Sequence, residues 1–187
     1  MTTRITGGEH RGRRLRSPRG LRLRPTSEKV RAAIFSMIGL PAVAGARVLD
    51  LYAGSGALGI EALSRRAEWV DFVESDARLC RGIRHNLDEM GMADRGRVYH
   101  RKASAALEEL DARYGLVFAD PPYEDDPWAG LMEKLESCWL LEDRAVLVLE
   151  HNRRLELAEA YGRVVLSRRR RHGDTVISLY SFEGANG

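Results

Sequence analysis

Asp120-Pro121-Pro122-Tyr123 joins a carboxylate, two imino acids and an aromatic ring directly behind the apolar run Leu116-Val117-Phe118-Ala119. The run reads as a buried strand. The paired prolines stiffen its exit and remove two backbone donors, which leaves carbonyls and the carboxylate as acceptors beside the ring. That combination suits one task. An exocyclic amine on a nucleic-acid base is a poor nucleophile because its lone pair is delocalised into the ring. Acceptors at Asp120 and the Pro121 carbonyl can bind its two hydrogens, turn the lone pair toward a methyl donor and stabilise the positive charge that develops on nitrogen. Tyr123 can stack on the base once it is extruded, a contact worth roughly 1–3 kcal/mol. An isolated Asp-Pro-Pro-Tyr would serve equally well as a proline-stiffened loop, so the reading depends on what precedes it.

What precedes it is the stretch from Val48 to Gly59, VLDLYAGSGALG. It reads as the end of a buried strand, a glycine-rich turn and the start of a helix. Gly54 and Gly56 let the backbone turn sharply and approach a ligand, and Gly59 lets the helix pack on the strand. Asp50 ends the strand. A pyrophosphate at the helix N-terminus would be repelled by an acid in the same crevice, whereas a cofactor with a cationic amino-acid end would not. S-adenosylmethionine carries both an ammonium and a sulfonium. The bland alternative is a strand-end carboxylate that caps the turn. Glu74, 24 residues beyond Asp50, ends the next strand and can accept both ribose hydroxyls of a nucleoside cofactor; it could otherwise cap the helix that follows. After the third strand, where many enzymes of this class place Asp-Ala to hold the adenine amine, stands Lys102-Ala103, and a lysine cannot accept that bond. A backbone group, Ser104 or apolar contact is left to recognise adenine.

These residues need a scaffold in which strand ends meet. From Arg47 onward RVLDL, WVDFVE, RVYHRK, GLVFAD and AVLVLE alternate with helices expected at Ile60–Arg66, Asp76–Met90, Ala103–Ala112, Pro127–Cys138 and Leu155–Tyr161. The alternation requires a mostly parallel sheet covered on both faces. RVVLSRRRR and TVISLYSF, separated by His172-Gly173-Asp174, form an antiparallel hairpin, giving seven strands in a Rossmann-like α/β fold. Arg168 to Arg171 alternate faces there, either extending a basic surface or guarding an edge strand. Upstream, residues 1–25 read as a small β-hairpin arm lying as a flap on a methyltransferase domain at 26–187. Thr26 is the expected N-cap of a helix with Val30, Ala33, Ile34, Met37 and Ile38 on one face.

Charge separates the same two parts. Residues 1–25 hold eight arginines against Glu9, a net of +7, while the remaining chain holds 22 basic and 26 acidic residues, a net of −4. A basic arm on a slightly acidic body suits a polyanion, most often nucleic acid, or else is simply solvated. With 187 residues, 44% apolar and 30% charged, the chain supports one buried core. It shows no bilayer-spanning run and no secretory signal. Cys80 and Cys138 are isolated, which fits reduced thiols in a cytoplasm and implies no metal site.

The segments RITGGEHRGRRL, RPTSEKVRAAIFS, VLDLYAGSGALGIEALSR, FVESD, VFADPPY and HGDT run nearly end to end and resemble the RsmD family, which methylates the guanine-N2 position of a nucleotide in bacterial 16S ribosomal RNA. The resemblance implies that Asp50, Tyr52, Ala53, Gly54, Ser55, Gly56, Gly59, Glu74 and Ala103 bind S-adenosylmethionine. It implies that Asp120, Pro121, Pro122 and Tyr123 hold the guanine and that Arg4, Arg11, Arg13 and Arg24 grip RNA. Its partner would be 16S RNA packed in the small ribosomal subunit or its precursor, with no membrane and no metal involved. Two departures are Lys102 at the adenine position and His172 where the family often has Tyr. The rival enzyme is an adenine-N6 methyltransferase on DNA or RNA, which usually needs a target-recognition region that this chain has no room for. A catalytically inactive RNA-binding assembly factor is a further alternative, against which the unbroken glycine turn and Asp120 speak.

Overall fold

The computed structural model describes residues 3–16, 26–121, 128–137 and 139–184. Near-continuous apolar runs make strands covered on both faces. Val48, Leu49 and Leu51 of β3 (Arg47–Leu51), Val70, Phe72 and Val73 of β4 (Trp69–Glu74), and Leu116, Val117 and Phe118 of β6 (Tyr114–Ala119) are all buried. With β5 (Gly96–His100), β7 (Leu141–Asn152), β8 (Ala160–Tyr161), β9 (Val164–His172) and β10 (Thr175–Phe182) they build one eight-stranded sheet in the order β5-β4-β3-β6-β7-β10-β9-β8. The first five strands in that order are parallel, and β10 runs antiparallel between β7 and β9. From β3 the chain winds outward through β4 and β5, then returns to β6 on the other side. The topological switch therefore lies between the carboxyl ends of β3 and β6, where ligands bind in open α/β sheets.

The helices divide between two cores. On one face α1 (Glu28–Ile38), α2 (Ala57–Ser64) and α3 (Ala77–Met90) pack over Val48, Phe72, Phe118 and Val148. On the other, α4 (Ala103–Glu109) and α5 (Trp128–Ser137) cover Leu49, Val117, Leu147 and Tyr180. The arm pairs β1 (Thr3–Arg4) with β2 (Arg14–Leu15) and belongs to the first core. It buries more than the flap expected from its composition, because the two apolar residues among its described residues, Ile5 and Leu15, are 2% and 1% exposed. Its backbone is matched in turn by side chains of the body. The Arg16 N–H donates to Asn86 Oδ1 at 2.9 Å and Asn86 Nδ2 donates to the Arg16 carbonyl at 3.0 Å, while the His10 N–H donates to Ser64 Oγ at 2.9 Å.

Three local expectations are corrected. The sheet has eight strands rather than seven. Residues 155–161 form no helix, and β8 occupies their end. The helical spacing there is overruled because other parts take the backbone groups a helix would use: Tyr180 Oη donates to the Ala158 carbonyl at 2.6 Å, Arg169 Nη2 to the Leu157 carbonyl at 2.9 Å, and the Leu166 N–H to the Glu159 carbonyl at 2.8 Å. The N-cap of α1 is Ser27, whose Oγ accepts from the Val30 N–H at 3.2 Å, rather than Thr26. Cys80 is buried in α3, and Cys138 lies outside the described residues.

Candidate active site

The turn after β3 is tight enough to dictate its residues. Gly54 and Gly56 have φ of 55° and 73°, the left-handed region that glycine adopts without a Cβ clash, and Tyr52 is held there too at 60° despite its side chain. Gly59 serves packing instead. A Cβ at this position would lie 2.3 Å from Phe72 Cε1, so only glycine lets α2 approach β4 this closely. Ala53 and Ser55 complete the turn; the Ala53 N–H donates to the Val73 carbonyl at 3.0 Å and ties it to β4.

Two carboxylates fix that turn from below. Asp50 is 2% exposed, and its Oδ2 accepts the Gly59 N–H at 3.0 Å. Burial pushes its carboxyl up to about 8; the Gly59 N–H works against this and the nearby Glu74 adds to it. Glu74 spans the crevice: Oε2 accepts the Gly54 N–H at 2.8 Å and Oε1 the Asp76 N–H at 2.8 Å. Asp50 thus does cap the turn, as its plainer reading proposed; Glu74 also ties the turn, whereas the cap of the helix that follows is Asp76. Once ionised, Asp50 joins Glu74 in concentrating negative potential at the ends of β3 and β4. A buried acid held neutral by desolvation is a group that a neighbouring cation would ionise. A ligand with a cationic end fits these residues, and the left-handed Gly54, with no atom nearer than 3.9 Å to the place of a Cβ, leaves backbone open to it.

Asp120 follows the last residue of β6, and β6 is the parallel neighbour of β3 with Leu51 opposite Ala119. Neighbouring strands lie about 4.8 Å apart, so the glycine turn and Asp120 open on one crevice. Sequence reasoning did not find the residue that meets Asp120 from the arm side. Thr26 Oγ1 donates to Asp120 Oδ2 at 3.4 Å, and the Thr26 carbonyl accepts from Arg31 Nη1 at 2.7 Å. Arg31 is completely buried. Its Nε pairs with Glu61 at 3.3 Å and its Nη2 donates to the Arg4 carbonyl, while Glu61 also receives Thr6 of the arm and Arg65 at 2.8 Å. The signal was available: RPTSEKVRAAIF puts an arginine between the apolar residues of an amphipathic helix.

The remaining candidates are placed differently. Ala103 is buried at the start of α4, with Lys102 in the cap position without a side-chain cap. Pro121 is buried; Pro122, Tyr123 and Arg24 lie outside the described residues. The Arg4 N–H donates to Glu28 Oε1 at 2.9 Å. Arg13 Nη2 donates to the Glu89 carbonyl at 2.7 Å, thirteen residues along α3 from its Asp76 cap. At 1.5 Å per residue this is about 20 Å from the carboxyl edge of the sheet. Arg11 is on the hairpin tip, where the Glu9 N–H binds the Ser64 carbonyl at the far end of α2. The structure therefore brings Asp50, Glu74 and Asp120 together and leaves Arg11 and Arg13 at the opposite edge.

The family model described as Conserved hypothetical protein 95 matches residues 3–181. The Bacillus subtilis protein YlbH is 37% identical over 184 residues, 97% of this chain and 100% of that protein. The Ribosomal RNA small subunit methyltransferase D of Escherichia coli is 34% identical over 184 residues, 96% of this chain and 90% of that protein. The chain belongs to the RsmD family. The solved yhhF structure from Escherichia coli superimposes with a TM-score of 0.88 at 30% identity, covering 98% of this chain and 99% of that one. A match beginning at residue 3 takes in the hairpin arm, so in this RsmD-family chain the arm and the Rossmann-like methyltransferase sheet are parts of one family unit.

Proposed function

We propose that this chain transfers the methyl group of S-adenosylmethionine to the exocyclic N2 amine of a guanine in 16S ribosomal RNA, within an assembled or nearly assembled small subunit. The observation that carries the reading is the juxtaposition of the β3 turn and Asp120 across neighbouring strand ends at the switch point. The name of the Escherichia coli relative, a small-subunit ribosomal RNA methyltransferase, supports an RNA substrate. The resemblance of the amino-terminal motifs supports guanine N2.

When bound, the cofactor supplies a methyl group on a sulfonium centre. Asp50 and Glu74 would hold its cationic and ribose parts, and Ala103 would line its adenine side. Asp120 and the Pro121 carbonyl accept the two amine hydrogens, aim the lone pair in line and stabilise the charge that grows on nitrogen, while Tyr123 stacks on the base. Catalysis is then positioning and electrostatics, with no covalent intermediate on the protein. Residues 1–25 form an RNA-contacting arm on the catalytic domain 26–187. With Arg11 and Arg13 at the far edge, the arm reaches parts of the particle remote from the target nucleotide, which is consistent with a packed substrate in the cytoplasm.

The test is to incubate the protein and labelled S-adenosylmethionine with naked 16S RNA and with small subunits lacking the modification, followed by nucleoside mass spectrometry. N2-methylguanosine from the particles is the expected product. N6-methyladenosine would identify the rival enzyme, and a protein that binds the cofactor and RNA but modifies neither substrate would be an assembly factor.

A further inference from the structure

The carboxyl edge of the sheet is divided by charge. On the side of β3 and β4 stand Asp50 and Glu74. On the other side, beyond Asp120, the end of β7, the start of β10 and the end of β9 coincide, since Thr175 pairs with both Asn152 and His172. Arg153 and Arg154, which follow β7, and Arg169 and Arg171 of β9 converge there with Val176 around one concavity of about 600 Å³. Three strand spacings, about 15 Å across the sheet, separate the strand that leads into Asp120 from β9, and Arg169 and Arg171 stand at the same edge on the face covered by α4 and α5.

The concavity is built rather than incidental. Arg169 is fixed by Ser178 Oγ at 3.2 Å and the Leu157 carbonyl at 2.9 Å. Arg171 donates Nε to the Gly173 carbonyl at 2.8 Å, and Arg153 pairs through Nε with Asp174 at 2.9 Å. In both, the terminal nitrogens make no further hydrogen bond among the described residues. The Arg154 side chain has no partner among the described residues. Among those residues, Asp174 is the one carboxylate paired with these four guanidiniums. Protection of an exposed edge strand would account for arginines along β9. It does not account for Arg153 and Arg154 arriving from a different strand to share the same hollow. Guanidiniums gathered around one hollow, with donors left over beyond these contacts, match phosphate oxygens.

We propose that this concavity is a phosphate-binding subsite that grips the backbone of the RNA strand carrying the target nucleotide, on the side away from the cofactor. The inference rests on the RNA methyltransferase reading and deepens it. Acids at one half of the edge favour the cationic donor, arginines at the other half hold the polyanionic acceptor, and Asp120 lies where the two halves meet.

The experiment measures affinity of the full chain for a short fluorescein-labelled single-stranded RNA across a potassium chloride series, for the wild type, Arg154→Gln, Arg154→Gln/Arg171→Gln and Arg81→Gln. Removing one arginine–phosphate pair should flatten the slope of log K against log salt by about 0.7, giving about 1.4 for the double variant. Arg81, exposed on α3, should change neither slope nor affinity. Arg154→Gln removes a side chain without partners among the described residues, and S-adenosylhomocysteine affinity equal to wild type reports the fold of both variants. Slopes unchanged in both variants, or flattened equally by Arg81→Gln, would overturn the subsite. Binding is read without methyl transfer, so the two readings fail separately. N2-methylguanosine formed with unchanged slopes sinks the subsite alone. Flattened slopes with a different methylated nucleoside support the subsite and sink the guanine assignment.

Discussion

Asp50 makes cofactor binding depend on pH in a direction that can be worked out beforehand. Desolvation holds its carboxyl up to about 8 in the free protein, so near neutrality it is mostly protonated. A cationic amino-acid end placed beside it favours the carboxylate, so binding should expel the proton. If the cofactor takes only the ionised form, apparent affinity follows the ionised fraction, roughly 0.01 at pH 6 and roughly 0.24 at pH 7.5. That is a gain of about 25-fold, or ~1.9 kcal/mol at 1.36 kcal/mol per pH unit. The assay is calorimetric titration of S-adenosylhomocysteine at both pH values, repeated in buffers of different ionisation enthalpy to count the released proton. Asp50→Asn keeps an acceptor for the Gly59 N–H and removes the titration. The ligand's own amine titrates equally against both proteins, so the ratio of their affinities isolates Asp50. The sign for stability is opposite. The folded protein retains a proton that the unfolded chain has released above its ordinary pKa near 4, so the Asp50 contribution falls as pH rises from about 4 to 8. Asp50→Asn should flatten that decline. A wild-type affinity ratio that stays flat with pH, or an Asp50→Asn protein that reproduces the wild-type gain and proton release, would refute the coupling.

Removing a partner from the buried pair beneath the arm should be costly. Arg31→Met leaves Glu61 with only part of its compensation and should lower stability by about 3–5 kcal/mol in urea unfolding, with Arg31→Met/Glu61→Leu recovering a large share. Gly59→Ala forces a methyl against Phe72 and should cost about 1–3 kcal/mol, partly restored by Phe72→Leu; an unchanged melting curve would show that α2 can lift from β4. At the amino edge, Tyr114 Oη donates to buried Asp71 at 2.8 Å. Tyr114→Phe should therefore destabilise by about 1–3 kcal/mol while leaving S-adenosylhomocysteine affinity unchanged, separating scaffold from site.

The parts of the molecule governed by local pattern were legible in the chain. β3 with its glycine turn, β6 leading into Asp120, the alternation of strands and helices, and the terminal hairpin all stand where apolar runs and turn residues put them. What was not legible depends on distant partners. The helical spacing of Leu155–Tyr161 lost to Tyr180 and Arg169, residues that take its carbonyls from another strand. The arm read only as a flap because Glu61, Ser64 and Asn86, which answer its backbone, lie more than fifty residues away. Arginines identical in type proved different in place. Arg13 is tied to the end of α3 far from the crevice, whereas Arg154 follows β7 at the edge that holds Asp120. Asp50 and Glu74 were recognised as site residues and the turn-capping role of Asp50 was offered as its alternative, but that Glu74 also clamps the turn follows only from the Gly54 N–H that faces it.

The central claim is that Asp120 acts on the acceptor amine and not on the cofactor. It is tested most directly by single-turnover methyl transfer from labelled S-adenosylmethionine to unmodified small subunits, comparing wild type with Asp120→Ala while cofactor affinity is measured on the same preparations. The account predicts that transfer is abolished, a loss of roughly 100-fold or more, with cofactor affinity changed by no more than a few fold. Transfer at the wild-type rate, or a loss matched by an equal loss of cofactor affinity, would contradict it.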